Sequence, residues 1–400
     1  MIDKRFKIFD WISEYSLYSL IFFTPISTAL SSVFAGLLLV GFFGKKIINP
    51  DFKFLKSKAH FFLLLFFIFS SFSLINSGIY FFKSLNALFL KWAKYIVIFL
   101  ITQDVLIDKR RIKIALLIFI FIAALVGIDC LSQGFLGKEF LRNRMLISLT
   151  YAKAITGPFN HYNGLGTYLV TIIFLVVAIW LKPLQKRQDK FLFGLLAFLL
   201  GFCITLTYSR GTWLSFIVTL FLMMILTKRT KPLLFIGIIF ILILAFIPQL
   251  RYRVFFTLSK GGDADRFIYW NTAIQMIKEN PILGKGIGTF MDYFHKYTPY
   301  LYPHYAHNCF LQIWAETGIF SLISFLGFVI LLVYSGIRSF LDSQDFLTLG
   351  ITCGIFAFLV HSMFDTQFYS LQLAVIFWLL AAILVARIKF QTNKLDNSLD

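Results

Sequence analysis

Apolar segments of span length recur from one end of this chain to the other, and they leave few folds open. Twelve can be counted, roughly at 13–29, 31–44, 60–76, 92–107, 112–131, 164–182, 191–208, 211–227, 232–248, 309–334, 345–362 and 368–387. Runs of about 17–25 apolar residues match the length that crosses a bilayer as a helix. The first two are short, and 31–44 is the least distinct. The expected fold is an all-α integral membrane protein of about 12 transmembrane helices. Residues 1–400 form a single polytopic membrane domain, with a large external loop, 249–308, between the ninth and tenth spans. The stretch from Tyr80 to Lys91 is mostly apolar with Lys83 and Lys91 eight apart, which reads as an interfacial helix.

Composition excludes an ordinary soluble globule. Hydrophobic residues make up 59% of the chain and charged ones 14%, against roughly 25% charged in soluble domains. The net charge of +19 raises nucleic-acid binding as an option. Its placement in short loops fits membrane topology and anionic headgroups better. Cys130, Cys203, Cys309 and Cys353 have neither CxxC spacing nor histidine partners, so no zinc site or disulfide framework follows. No cleavable signal peptide is evident, and the first apolar segment reads as a span.

Orientation follows from the basic residues. With the N-terminus inside, each short inside loop is basic, as in Lys4-Arg5, Lys45-Lys46, Lys109-Arg110-Arg111, Lys186-Arg187 and Lys228-Arg229. Both termini are therefore expected in the cytoplasm. The external face then receives the 132–163 loop with His161, the tight turn Tyr208-Ser209-Arg210-Gly211, the long loop, and His361 with Asp365. Among the histidines, His60 alone falls on the other side.

Chemistry-bearing residues concentrate on that external face. Arg210 stands between two apolar helices with almost no loop, so it is held at the membrane boundary. It either snorkels to headgroups or binds phosphate through its planar guanidinium, with Gly211 allowing close approach. In the long loop, Phe267, Trp270, Ile274 and Ile277 have helical spacing, with Asp265 as N-cap and Asn280-Pro281 as the stop. Arg266 then lies in the first turn, where Asp263 and Asp265 neutralise it or where it shares an anion with free backbone N–H groups. The run Gly284-Lys285-Gly286-Ile287-Gly288 has the wrong spacing and context for a dinucleotide fingerprint. It reads instead as a tightly turned or flexible backbone beside the site.

His307 and Asn308 stand where a polar loop becomes an apolar segment. His307 either caps the helix or serves as a general base, with His304 the weaker candidate. Glu316 lies about 13 Å deeper at roughly 1.5 Å per residue. An ionisable group at such depth faces a cavity or a partner, and it is too deep to complete a metal site with His304 and His307. The turn Gly157-Pro158-Phe159-Asn160-His161 presents His161 for capping or binding. Asp365 is a possible partner for one of the arginines.

Taken together, SRGTWL between two helices, DRFIYWNTAIQMIKENPILGKGIGTF in the loop, and HNCFLQIWAETG opening the next span resemble the O-antigen ligase and polymerase superfamily. The likeness is local to about residues 157–166, 203–216 and 263–325. It departs at Ser321, where the family's ExGxxG pattern ends in glycine.

The resemblance implies a membrane glycosyltransferase of lipopolysaccharide biosynthesis in the bacterial inner membrane, with a periplasmic active site. The donor would be a glycan on undecaprenyl diphosphate and the acceptor lipid A–core or another glycan. Transfer would be metal-independent and inverting, without a cofactor. His307 is the expected catalytic base, while Arg210, Arg266, His161, Asn308 and Asp365 are the expected substrate-binding residues. Ligase is favoured because the Arg and His motifs follow the ligase-like order with one dominant loop. The alternatives are a polysaccharide polymerase of the same superfamily and a twelve-span secondary transporter. The transporter would need polar breaks near the midplane and internal similarity, neither of which is apparent.

Overall fold

In the computed structural model, residues 4–52, 58–149, 152–183, 186–260, 264–298, 302 and 304–396 are described, and most of them are helical. Helices α1 (Lys4–Phe23) and α2 (Thr28–Ile48) form a hairpin and α3 is Lys58–Phe72. Next come α4 (Phe81–Ala87), α5 (Lys94–Val105), α6 (Lys109–Leu136), α7 (Tyr162–Leu181), α8 (Arg187–Leu206) and α9 (Arg210–Thr227). Then follow α10 (Thr230–Phe246), α11 (Pro248–Lys260), α12 (Ala264–Glu279), α13 (Phe290–Tyr297) and α14 (Cys309–Thr317). The chain ends with α15 (Ile319–Ser343), α16 (Phe346–His361) and α17 (Leu371–Asp396). Two short strands, β1 (Ile147–Ser148) and β2 (Lys153–Ala154), pair antiparallel in the loop after α6.

Among the described residues, nine helical segments are long and apolar enough to cross a membrane. A tenth is reached if α10 and the start of α11, bent by 88° at their junction, count as one broken span. Pro248 explains the break, since it drives Ile247 into the extended conformation found there. Two of the twelve expected segments fall short in structure. The first half of α1 carries Lys4, Arg5, Lys7 and Asp10, with Glu14 just beyond, and α16 has only 16 residues. The interfacial helix expected at 80–91 is not separate. It continues through a π-helical turn, Leu88–Ala93, into α5, and Gly78–Val105 forms one apolar helical run.

The axis of the bundle is α7, buried on nearly every side. Helix α16 crosses it closely because Gly350 and Gly354 lack side chains. A Cβ on Gly354 would lie 2.2 Å from the Thr171 carbonyl oxygen. Small residues four apart let helix backbones touch in this way. Around α17, Trp378 stacks on Phe328 and packs edge-on against Phe99 and Phe377. At the end of the bundle away from His161, buried charges are paired. Lys45 meets Asp104 at 2.6 Å, and Arg111 meets Glu14 at 2.8 Å, tying α1, α2, α5 and α6 together. A second, smaller core joins α12, α13 and α14 through Tyr269, Met276, Phe290, Phe294 and Ala315.

Candidate active site

The helix α14 begins at Asn308, whose Oδ1 accepts from the N–H groups of Phe310 and Leu311 at 3.0 and 3.1 Å. Such a cap is worth about 1 kcal/mol. Just before it, His307 adopts φ 48°, a left-handed conformation that costs an L-residue roughly 1–2 kcal/mol. Neighbouring contacts hold it there. The N–H of Cys309 donates to the Ser362 carbonyl at 2.8 Å, and the Cys309 thiol to the Asp365 carbonyl at 3.3 Å.

These contacts bring Asp365 to His307, with 3.1 Å between Oδ1 and Nδ1. A carboxylate only accepts, so Nδ1 carries the hydrogen and Nε2 is left as the basic nitrogen. Burial alone would raise the Asp365 pKa. The hydrogen bond and charge of His307, with the Thr366 N–H, instead hold it well below the usual carboxylate range. The sequence offered Asp365 as a partner for an arginine, and the structure joins it to His307.

Tyr269 completes this wall. Its ring centroid lies 5.4 Å from that of His307 and 5.8 Å from that of His304. Arg266 precedes Tyr269 by three residues on α12, hence on the same helical face, and its charge reaches His361. The helical spacing read between Phe267 and Ile277 is borne out, and α12 stops at Glu279 as Asn280-Pro281 implied. Asp263 and the side chain of Asp265, read as neutralisers and cap, lie outside the described residues.

Arg210 opens α9 next to the same loop. A Cβ on Gly211 would meet His361 at 2.7 Å and Phe364 at 3.2 Å. His361 makes a close approach at Gly211. His361 is buried, with Nδ1 at 2.6 Å from the Thr167 hydroxyl, so it serves the junction of α7, α9 and α16. Arg253 of α11 donates to the Tyr208 carbonyl at 3.3 Å, adding a guanidinium that sequence reading passed over.

Residues 195–326 match the family model described as O-antigen ligase. The chain resembles the O-antigen ligase superfamily. A ComP-specific O-oligosaccharyltransferase of Acinetobacter baylyi is 26% identical over a 402-residue alignment, covering 90% of this chain and 69% of that protein. An O-antigen ligase of Salmonella typhimurium is 24% identical over 234 residues, 54% of this chain and 55% of that protein.

His161 caps α7, with Nδ1 accepting from the Asn163 N–H at 3.2 Å. It lies near enough to Asp365, His304 and His307 to feel their charge. Asn308 spends its carbonyl oxygen on the α14 cap. Glu316 is met by partners. Its fully buried carboxylate accepts from the N–H groups of Gly288 at 2.8 Å and Phe290 at 3.2 Å, from Gln312 at 3.1 Å and from the Tyr369 hydroxyl at 2.9 Å. The glycine run is thereby wrapped onto α14. Gly284, at φ 72°, has no room for a Cβ, which would lie 2.4 Å from the Glu316 carbonyl. Ser321 replaces the family glycine with an interhelical hydrogen bond, its hydroxyl 2.6 Å from that of Ser70 in α3.

Proposed function

We propose that this protein ligates O-antigen, or a similar surface polysaccharide, from undecaprenyl diphosphate to lipid A–core on the periplasmic side of the inner membrane. The observation that carries the reading is the His307–Asp365 pair, set beside Tyr269 and between the elements that bear Arg210 and Arg266. Nε2 of His307 takes the proton from an acceptor hydroxyl as its oxygen attacks the anomeric carbon. The bond from that carbon to the diphosphate oxygen breaks, the configuration inverts, and the leaving diphosphate keeps the electron pair. Arg210 and Arg266 stabilise the charge that develops on it. The mechanism needs neither a metal nor a cofactor. His161 and Asn308 contact the substrates. The basic short loops support cytoplasmic termini and an external site.

A second reading concerns the acceptor. The relative aligned over 90% of this chain is a ComP-specific O-oligosaccharyltransferase, whereas the O-antigen ligase aligns over 54%. Breadth of alignment favours a protein hydroxyl in place of a core sugar. Deleting the gene separates the readings. Ligation to lipid A–core predicts glycan accumulating on its lipid carrier together with loss of polymer from lipopolysaccharide. A protein acceptor predicts an unchanged lipopolysaccharide and a lost glycoprotein. Loss of chain length alone would identify a polymerase, and no change in any glycan would defeat the enzymatic reading.

A further inference from the structure

Beyond α6 the chain makes a tight hairpin that three side chains hold from within. Gly137, at φ 81°, ends the helix, and Lys138 pairs with Met145 across the turn. Asp129 lies about two helical turns before that end. Its Oδ1 accepts from the N–H groups of Phe140 at 2.8 Å and Leu141 at 3.2 Å. Glu139 accepts from the N–H of Arg142 at 2.7 Å and from that of Arg144 at 3.0 Å. Gln133, four residues after Asp129 and so on the same face of α6, donates to the carbonyls of Arg144 and Met145 and accepts from the N–H groups of Thr156 and Gly157. The hairpin in turn holds the chain that enters α7. Arg142 donates to the Pro158 carbonyl at 3.3 Å and Arg144 to Asn160 Oδ1 at 2.6 Å. His161 follows directly, near enough to Asp365 and His307 to feel their charge.

Both acids are buried, Asp129 at 0% exposure and Glu139 at 1%, and their carboxyl groups lie within hydrogen-bonding reach of each other. Asp129 Oδ2 is itself buried, and no donor among the described residues meets it. Ionised carboxylates only accept, so a bond between two of them needs a proton. We propose that Asp129 and Glu139 share one proton, and that this bond positions the Pro158–His161 turn against the His307–Asp365 pair. It rests on the reading of that pair as the centre of the site. With the proton in place, Asp129 donates from Oδ2 to Glu139. Without it, two like charges face each other away from water. Order at the turn is therefore present while the proton is held and is lost as pH rises. The other titratable groups facing the pair are Cys130 on α6, with Tyr168 of α7 and Cys203 of α8 beyond it, and Arg142 and Arg144 of the hairpin. Lys138 is exposed.

The test uses the full-length protein in liposomes. Infrared spectroscopy reads the proton: at about pH 6, where a buried carboxyl beside a second one stays protonated, the spectrum of wild type minus Asp129→Asn should show a protonated-carboxyl stretch. Hydrogen exchange over residues 152–161, corrected for the intrinsic rate at each pH, reads the positioning. Protection in wild type should fall about tenfold or more between about pH 6 and 9, the range in which such a pair gives up its proton. In Asp129→Asn the amide oxygen keeps both backbone N–H groups, and the amide nitrogen donates to Glu139 without titrating. Its protection should stay level over that range, and it should keep the transfer activity that wild type loses there. Cys130→Ala retains both acids and should keep the wild-type fall. Absence of the infrared band, a fall that persists in Asp129→Asn, or one that vanishes in Cys130→Ala overturns the proposal. If Asp129→Asn does not fold, Glu139→Gln takes its place, and a band it retains overturns the shared proton. Neither spectroscopy nor exchange needs substrate. A wild type that transfers no glycan therefore defeats the enzymatic reading, while the band and the exchange still decide the proton and the turn.

Discussion

His307 Nδ1 and Asp365 Oδ1 are 3.1 Å apart, although 58 residues separate them in the chain. The pair fixes which imidazole nitrogen is basic. Asp365→Asn offers a side chain that can present either an acceptor or a donor to Nδ1, so the tautomer is no longer imposed. Transfer should fall about a hundredfold or more, the range of general-base contributions, while donor binding stays near wild type. Single-turnover transfer and donor affinity measured on one preparation check this. Unchanged turnover would remove Asp365 from the mechanism.

His307→Ala should abolish transfer and leave lipid diphosphate binding largely intact, and His304→Ala should be much milder. Chelator is predicted to leave wild-type turnover unchanged. Strong inhibition by chelation would refute the metal-free mechanism.

Arg210→Ala and Arg266→Ala should each reduce transfer by about a hundredfold to a thousandfold, the scale of losing one preorganised contact to developing charge. Protein levels in the membrane should hold. Arg210→Lys should recover only part of the rate, because an ammonium lacks the bidentate fork. Full activity in Arg210→Ala would return this residue to a headgroup anchor.

Glu316→Gln keeps the side-chain shape but turns one of two acceptor oxygens into a donor. Four donors converge on that carboxylate, so at least one is left unsatisfied. The loss should be about 2 kcal/mol or more, read as a lower melting temperature in detergent and faster proteolysis between Gly284 and Phe290. A wild-type melting curve would show that the glycine run is held by its backbone bonds alone.

Glu279 provides a pH dependence outside the spans. Hydrogen bonds from Lys285 and Lys296, then Tyr297, hold its carboxyl down to about 2 against some burial, from an ordinary 4.5. A depressed carboxyl stabilises the fold fully above its unfolded value and loses that contribution as pH falls from about 4.5 towards 2. The difference in proteolytic protection of α12 and α13 between wild type and Glu279→Gln should therefore be constant from pH 8 to 5 and shrink below. A difference already shrinking at pH 7 would contradict the assignment.

Helices and their limits were largely legible in the sequence, because apolar length and the Phe267–Ile277 periodicity depend on near neighbours. The short α16 and the charged start of α1 were harder, since both gain their place by packing against longer helices. In the site, Arg210, Arg266 and His307 could be picked out by residue type at a membrane boundary. The role of Asp365 could not, because its partner arrives from another helix. Tyr269 was hidden for the same reason, reading as one aromatic among several in FIYW. Glu316 announced a buried need for partners without saying that backbone N–H groups would supply them.

The glycine run and α14 share bonds at Lys285 to Ala315, Gly286 to Glu316 and Ile319 to Pro281. Trp314 adds a bond from its indole to the Pro281 carbonyl at 3.0 Å. Residues 281–286 and 314–319 are thus stitched together, and the small core carries the stitching on to α12. The segment from Ala264 to Gly318 is consequently a cassette whose two ends cannot be exchanged separately. Chimeras between relatives that cut inside it should misassemble, whereas those that transplant it whole should move the histidine, its neighbouring tyrosine and Arg266 as one inherited unit.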